Sequence, residues 1–301
     1  MKGNKFTTVI LIILSFVFVT ILAVSTVSCA QKEEASEKLR VAVTILPLAN
    51  FVENVAGEKV EVSVMVPPGA NVHIYELTPS QMAALSKAVM YVKVGSGIEF
   101  ELVWMDKLIA ANKDMLVVDC SKGVEIQEKV GEHGVEHKHG AMDPHIWMSP
   151  LNAKIMVRNI CDGLVQIDPD KKVFYEQNRD AYLQKLAQLD QDIRNRLSGV
   201  ANGRFMVYHP ALGYFAREYN LTMIPIEEDG KEPTVAGLAR LIKQAKEHDI
   251  KFIFADSQFN PQSAEVIAKA IGGSVVFINP LAEDYIANLR SLLAELVQAM
   301  E

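Results

Sequence analysis

The sequence predicts an α/β protein of two lobes, each with a mainly parallel sheet flanked by helices, the two joined by one long connecting helix. Two observations predict it. Short β-rich apolar runs alternate with stretches of helical spacing on both sides of the chain's middle, the pattern of parallel strands whose crossover helices pack on the sheet faces. Between the alternating halves lies a charged stretch, 168–197, in which Phe174, Tyr182, Leu186 and Leu189 keep helical spacing over many residues, as a half-exposed connector would.

In chain order, 39–45 and 60–66 read as strands around a helix at 47–56. Thr78-Pro79-Ser80 opens a helix to about 88, with Thr78 as N-cap and Pro79 at the first helical position. Strand 89–94, helix 99–111 and strand 115–119 follow. The segment 121–142 is polar, carries four glycines and has no apolar period, so it reads as a long loop, a feature that compact domains keep for a purpose. Ser149-Pro150 opens a helix to about 167, and Asp168-Pro169 opens the connector. Strands 204–208, 221–226, 251–255 and 274–278 then alternate with helices 211–218, 234–247 and 261–270, and a last helix runs from about 282. The implied organisation is a first lobe at 39–149, connecting helices at 150–199 and a second lobe at 200–301.

Residues before 39 belong to another kind of segment. Lys2 and Lys5 precede an uncharged apolar run, 9–24, that ends in small and polar residues before Cys29, the layout of a secretory signal at 1–28 followed by a tether at 29–38. Thr26-Val27-Ser28-Cys29 resembles a bacterial lipobox, with Thr26 where Leu is usual. That resemblance implies cleavage before Cys29 and lipid on its thiol, a membrane anchor on the outer face. An uncleaved N-terminal anchor is the competing reading, because the run is nearly long enough to span. Both put the globular part outside the cytoplasm, in the periplasm or at the cell surface.

Charge narrows the function classes. The chain carries 30 basic and 37 acidic residues, and the signal segment holds two of the former and none of the latter, so the exported part is more acidic than the net −7 of the whole. No basic stripe exists for nucleic acid, whereas an acidic surface suits cations. Besides Cys29, Cys120 ends a strand-like run and Cys161 lies in a helical one; both read as buried thiols.

The histidines carry the chemistry. His248 ends a helix and reads as a helix-end residue. His73 follows a strand and the turn Pro67-Pro68-Gly69-Ala70; His209 follows another strand and is fixed by Pro210. Both therefore stand beyond strand C-termini, the edge where open α/β sheets bind ligands. His145 lies in the stiff segment Asp143-Pro144-His145-Ile146-Trp147. Three neutral imidazoles on rigid segments nearly complete a tetrahedral zinc shell, and imidazole favours zinc where oxygen-rich shells favour manganese. A zinc hydrolase also uses three histidines and a water. The chain, however, has no His-Glu-x-x-His motif, nucleophile elbow or phosphate-binding glycine loop.

Those stretches, together with Tyr208-His209-Pro210-Ala211-Leu212-Gly213-Tyr214, resemble the zinc/manganese-type metal solute-binding proteins of ABC transporters, in their zinc-binding branch. The resemblance runs from about residue 39 to the C-terminus. It implies that His73, His145 and His209 bind the metal, that Zn2+ is the cargo with Mn2+ or iron as the alternative, and that a monomer without enzymatic activity delivers it to an ABC transporter membrane permease. In members that prefer manganese a carboxylate usually stands at the position of His209. The family usually supplies an Asp as a further ligand where this chain has Asn279. Asn279 would ligate through its oxygen, hold a bound water, or leave the position to Glu227 or Glu228. The short run with His133, His137 and His139 resembles the His- and acid-rich loop of zinc-binding members, an auxiliary collector of zinc or a solvated tether.

Overall fold

The structure, a computed structural model, describes residues 38–129, 142–200, 203–227 and 230–300. Cys29, His133, His137, His139 and Glu228 lie outside the described residues.

Apolar runs too short for helices and bounded by turns pair as two all-parallel sheets. The first lobe contains β1 (Leu39–Val43), α1 (Leu46–Ala56), β2 (Val60–Val64), α2 (Pro79–Leu85), β3 (Met90–Lys93), α3 (Glu99–Ala111) and β4 (Leu116–Asp119). Its strand order is β2-β1-β3-β4, with Val41 opposite Val62 on one side and Met90 on the other. Because helices cover both faces, Val41, Ala42 and Val43 are all buried rather than alternating. Thr78 caps α2 as expected: its hydroxyl accepts from the Gln81 N–H while the Gln81 side chain accepts from the Thr78 N–H.

Then come α4 (Pro150–Ile167), a 3-10 turn at Pro169–Lys171, and α5 (Lys172–Leu197). The second lobe has β5 (Arg204–Val207), α6 (Gly213–Glu218), β6 (Thr222–Pro225), α7 (Val235–Glu247), β7 (Phe252–Asp256), α8 (Gln262–Ile271), β8 (Ser274–Ile278) and α9 (Tyr285–Met300), in the order β6-β5-β7-β8. His248 is the C-cap of α7.

The connector is the long helix the sequence implies, with one correction. Its buried face is Tyr175, Tyr182, Leu186, Leu189, Ile193 and Leu197, and Phe174 is 37% exposed, so the apolar stripe passes through Tyr175 instead. Counting back seven residues, two full turns, from Tyr182 reaches 175 and not 174. The helix packs on α1, α4 and α9. Tyr182 donates to Asn50 and Asn178 to the Val55 carbonyl on the first-lobe side, and Asp192 meets Arg290 on the second-lobe side. The main core accordingly runs unbroken from β1 to α9, and a smaller cluster lies under α7 and α8. Cys120 and Cys161 are free, buried thiols, both pushed up in pKa chiefly by burial.

Identical strand order gives each lobe the same switch point, between its first and third strands, where successive crossovers leave in opposite directions. In the first lobe that crevice is filled by the chain itself. The buried Glu101 carboxylate accepts from Thr44 Oγ1 (2.6 Å), the Val94 N–H (2.6 Å) and the Gly95 N–H (2.9 Å). In the second lobe His209 stands two residues beyond the end of β5 and Asp256 ends β7, and the crevice stays open to a ligand.

Close packing of α4 on the first sheet depends on Gly163, where a Cβ would come within 2.4 Å of Val118 Cγ2 and 3.1 Å of Met90 Sδ. Gly163→Ala is expected to destabilise the protein by ~1–3 kcal/mol through overpacking, although Ala is the better helix former. Urea unfolding checks this; a midpoint at or above that of the wild type contradicts the packing argument.

Candidate metal centre

Three side chains far apart in sequence meet in one place. His73 comes from the turn beyond β2, where its N–H donates to Asn71 Oδ1 (2.9 Å). His145 precedes a 3-10 turn, Ile146–Met148. His209 follows the end of β5 after one residue, Tyr208. His145 and His209 are buried and His73 half-buried.

The segment that carries His145 is pinned from both lobes. Ser96 donates to the Pro144 carbonyl (2.5 Å) and Tyr214 to the Asp143 carbonyl (3.1 Å). Trp147 Nε1 donates to the Pro280 carbonyl (2.9 Å), while Tyr285 donates to the Trp147 carbonyl (2.7 Å). The Gln127 N–H donates to Tyr214 and the Asp143 N–H to the Gln127 carbonyl, and Glu128 pairs with Met142 in an antiparallel bridge. The two described ends of the long loop are thus fastened beside the site.

Each ring is oriented by a carboxylate. His73 Nδ1 lies 2.5 Å from Glu99 Oε2, His145 Nδ1 2.7 Å from Asp143 Oδ1, and His209 Nδ1 2.6 Å from Glu227 Oε1. An ionised carboxylate only accepts, so the proton of each neutral ring sits on Nδ1 and Nε2 presents a lone pair. The three Nε2 atoms then face one another, His73 to His209 at 3.2 Å and His209 to His145 at 3.1 Å. Lone pair against lone pair is repulsive; a shared cation turns the same arrangement into attraction. Two nitrogens bound at 2.0–2.1 Å to one tetrahedral ion stand roughly 3.3 Å apart, so the observed spacing matches what zinc requires.

Titration behaviour agrees with this picture. Burial lowers His209 to about 4, against the upward pull of the Glu227 hydrogen bond. Its ring is therefore neutral, with a free lone pair, throughout the physiological range. Burial raises Glu99, but the bond to His73 outweighs it and holds this carboxyl down at about 2. Among the described residues, His73, His145 and His209 form the cluster whose donor atoms lie within 4.8 Å of one another. They line a cavity of ≈ 20 Å3 with Trp147, Phe259, Asp256 and Gln258, and the Phe259 ring stacks on His209 at 4.7 Å.

Comparison with known proteins agrees with the geometry. The family model described as "Zinc-uptake complex component A periplasmic", ZnuA, matches residues 41–299. The chain belongs to this family. The high-affinity zinc uptake system protein ZnuA of Bacillus subtilis (strain 168) is 32% identical over 267 residues, 83% of this chain and 80% of that protein. The zinc-binding lipoprotein AdcA of Streptococcus pneumoniae (strain ATCC BAA-255 / R6) is 29% identical over 96% of this chain, which spans 61% of AdcA's length. A crystal structure of ZnuA superposes with a TM-score of 0.83 at 38% identity, covering 88% of this chain and all of that one. The two-lobed parallel fold is the fold of this family.

Of the ligand set drawn from the sequence, the three histidines converge, and Asn279 is not among the residues that line their cavity. Asn279 Oδ1 accepts from Gln258 Nε2 (2.8 Å) and from the Leu281 N–H (3.1 Å), and the residue lines a separate cavity of ≈ 250 Å3 behind Pro280. The Asn279 amide oxygen is tied down as an acceptor of the Gln258 side chain and the Leu281 N–H. Glu227, one of the alternatives for the fourth position, is committed to His209. The structure adds Glu99 and Asp256, which sequence reading passed over. Glu99 is a first-turn acid of α3, and its signal in the sequence is a place just after the Gly95-Ser96-Gly97 turn at a strand's C-terminal edge. Asp256 had the same signal, a lone acid ending an apolar strand.

Two outcomes follow from the carboxylate–imidazole pairs. In the metal-free protein at pH 5.5, two-bond proton–nitrogen spectra should show His209 neutral with its proton on Nδ1; a doubly protonated ring contradicts the lowered pKa. Glu227→Gln removes an interaction that raises that pKa. The variant's value should fall further below about 4, and metal affinity should drop ~10–100-fold through lost ligand basicity and orientation. Chelator-competition titration checks the second part, and unchanged affinity contradicts it.

Proposed function

We propose that this protein captures a divalent transition metal outside the cytoplasm, zinc in preference to manganese or iron, and hands it to the membrane permease of an ABC importer. The ligands are His73, His145 and His209. The observation that carries the reading is the convergence of three Nε2 atoms, that of His209 at 3.2 Å from His73 and 3.1 Å from His145, with every Nδ1 held by a carboxylate. Relatives named as zinc-uptake and zinc-binding proteins support it. Three imidazoles with no carboxylate among them favour zinc over manganese.

Sequestration accounts for the site better than catalysis. A cavity of ≈ 20 Å3 admits an occupant of about one water, a size that suits an ion with its water. Neutral ligands backed by carboxylates bind the dication while its charge is balanced one step out. Cys29 is the proposed lipid anchor, and His133, His137 and His139 would raise the local concentration of zinc near the site without a fixed geometry.

Titration of the purified chain with zinc and manganese at equal free concentration tests the reading. The expected result is one ion per chain and zinc preferred, with His145→Ala losing more than the ~10–100-fold typical of an outer partner. A chain that takes up no zinc, or a His145→Ala variant with wild-type affinity, overturns it.

A further inference from the structure

Gln127 Oε1 and Asp256 Oδ1 are the buried side-chain polar atoms without a hydrogen-bond partner among the described residues. Gln127 is neutral and belongs to the stem of the long loop. Asp256 is an acid, 1% exposed, and a buried carboxyl without a partner costs enough to need an explanation in terms of an ion or water that belongs there.

Its position supplies one. Asp256 ends β7, next to β5, which delivers His209, so it stands at the open switch point of the second lobe. It lines the same ≈ 20 Å3 cavity as the three imidazoles, while its carbonyl accepts from the N–H of Phe259, the residue whose ring stacks on His209. Among the described residues, the cluster of mutually close donors nonetheless stops at the three histidines, so its carboxylate reaches an ion there through an intervening atom. The cavity has space for one water, which needs ~10–15 Å3. A water on zinc is polarised and becomes a strong donor, for which a carboxylate oxygen without a partner is the matching acceptor. Among the described residues, the rival groups are engaged: Glu227 Oε1 holds His209, and Asn279 Oδ1 already accepts twice.

We propose that Asp256 is the positioning acid of the ion's fourth position, accepting a hydrogen bond from the water that completes the shell of three imidazoles. This rests on metal capture by those imidazoles as proposed above. Asp256, rather than Asn279, thus takes over the work of the carboxylate missing at position 279, at one remove from the ion.

Asp256→Asn, nearly isosteric, separates this role from a structural one. On the full chain, three quantities are compared with wild type: zinc Kd by chelator competition, the visible bands of the Co(II)-loaded protein, and the Tm of the metal-free protein. The expected results are a Kd ~10–100-fold higher, shifted cobalt bands, and a metal-free Tm equal or higher, because an uncompensated buried acid has been removed. Wild-type Kd with unaltered bands overturns the proposal, and so does a weaker Kd accompanied by a lowered metal-free Tm. Should Asp256→Asn not fold, Asp256→Ala is read against the same three criteria. A wild-type chain that binds neither metal overturns the capture reading itself, whereas a metal-binding wild type matched by Asp256→Asn overturns this inference alone.

Discussion

Three neutral imidazoles held with their lone pairs toward one another form an arrangement that a protein interior does not favour without a cation between them. Here the Glu99, Asp143 and Glu227 carboxylates fix the proton on each Nδ1 and hold each ring in place, so repulsion among the Nε2 atoms is built into the fold. A dication converts that repulsion into binding energy with little rearrangement. Preorganisation of this kind favours affinity because little ordering remains to be done when the ion arrives.

The fold supports this constraint through asymmetric use of a repeated architecture. Both sheets have the same strand order and the same kind of crevice, yet Glu101 seals one with three hydrogen bonds while the other is left to His209 and Asp256. His73 is contributed across the cleft by the first lobe, and the His145 segment is fastened to both lobes through Ser96, Tyr214, Trp147 and Tyr285. Gly213 permits the closest of these approaches: a Cβ there would sit 2.4 Å from Asp143 Oδ2, the carboxylate that orients His145. With a core continuous across α4, α5 and α9, this design favours small adjustments over wide opening of a hinge.

Much of this was legible in the residues, for identifiable reasons. α3 and β8 coincide with their reading in the sequence and α4 with its start and approximate end, because Gly97, Ser149-Pro150 and the Gly272-Gly273 pair punctuate them. Other ends differ by one to four residues, at terminal turns and ladder ends where local pattern does not decide the last hydrogen bond. The stripe of α5 was placed one residue off at Phe174, since an aromatic pair, Phe174-Tyr175, offers two phases and only packing chooses between them. The three histidines that converge stand out along the chain because each follows a strand or lies in a proline-stiffened turn. Asn279 was carried over by resemblance; in the structure its Oδ1 accepts from Gln258, which lies on the neighbouring strand's loop, invisible along the chain. Glu99 and Asp256 were missed because acids at helix starts and strand ends are common, and only the crevice gives them a task.

Zinc-edge anomalous diffraction from crystals of the zinc-loaded protein tests the central claim most directly. A single strong peak within about 2.0–2.1 Å of His73, His145 and His209 Nε2, with the rings still on their carboxylates, is the result this account predicts. A peak elsewhere, or one reached only after a ring abandons Glu99, Asp143 or Glu227, contradicts it.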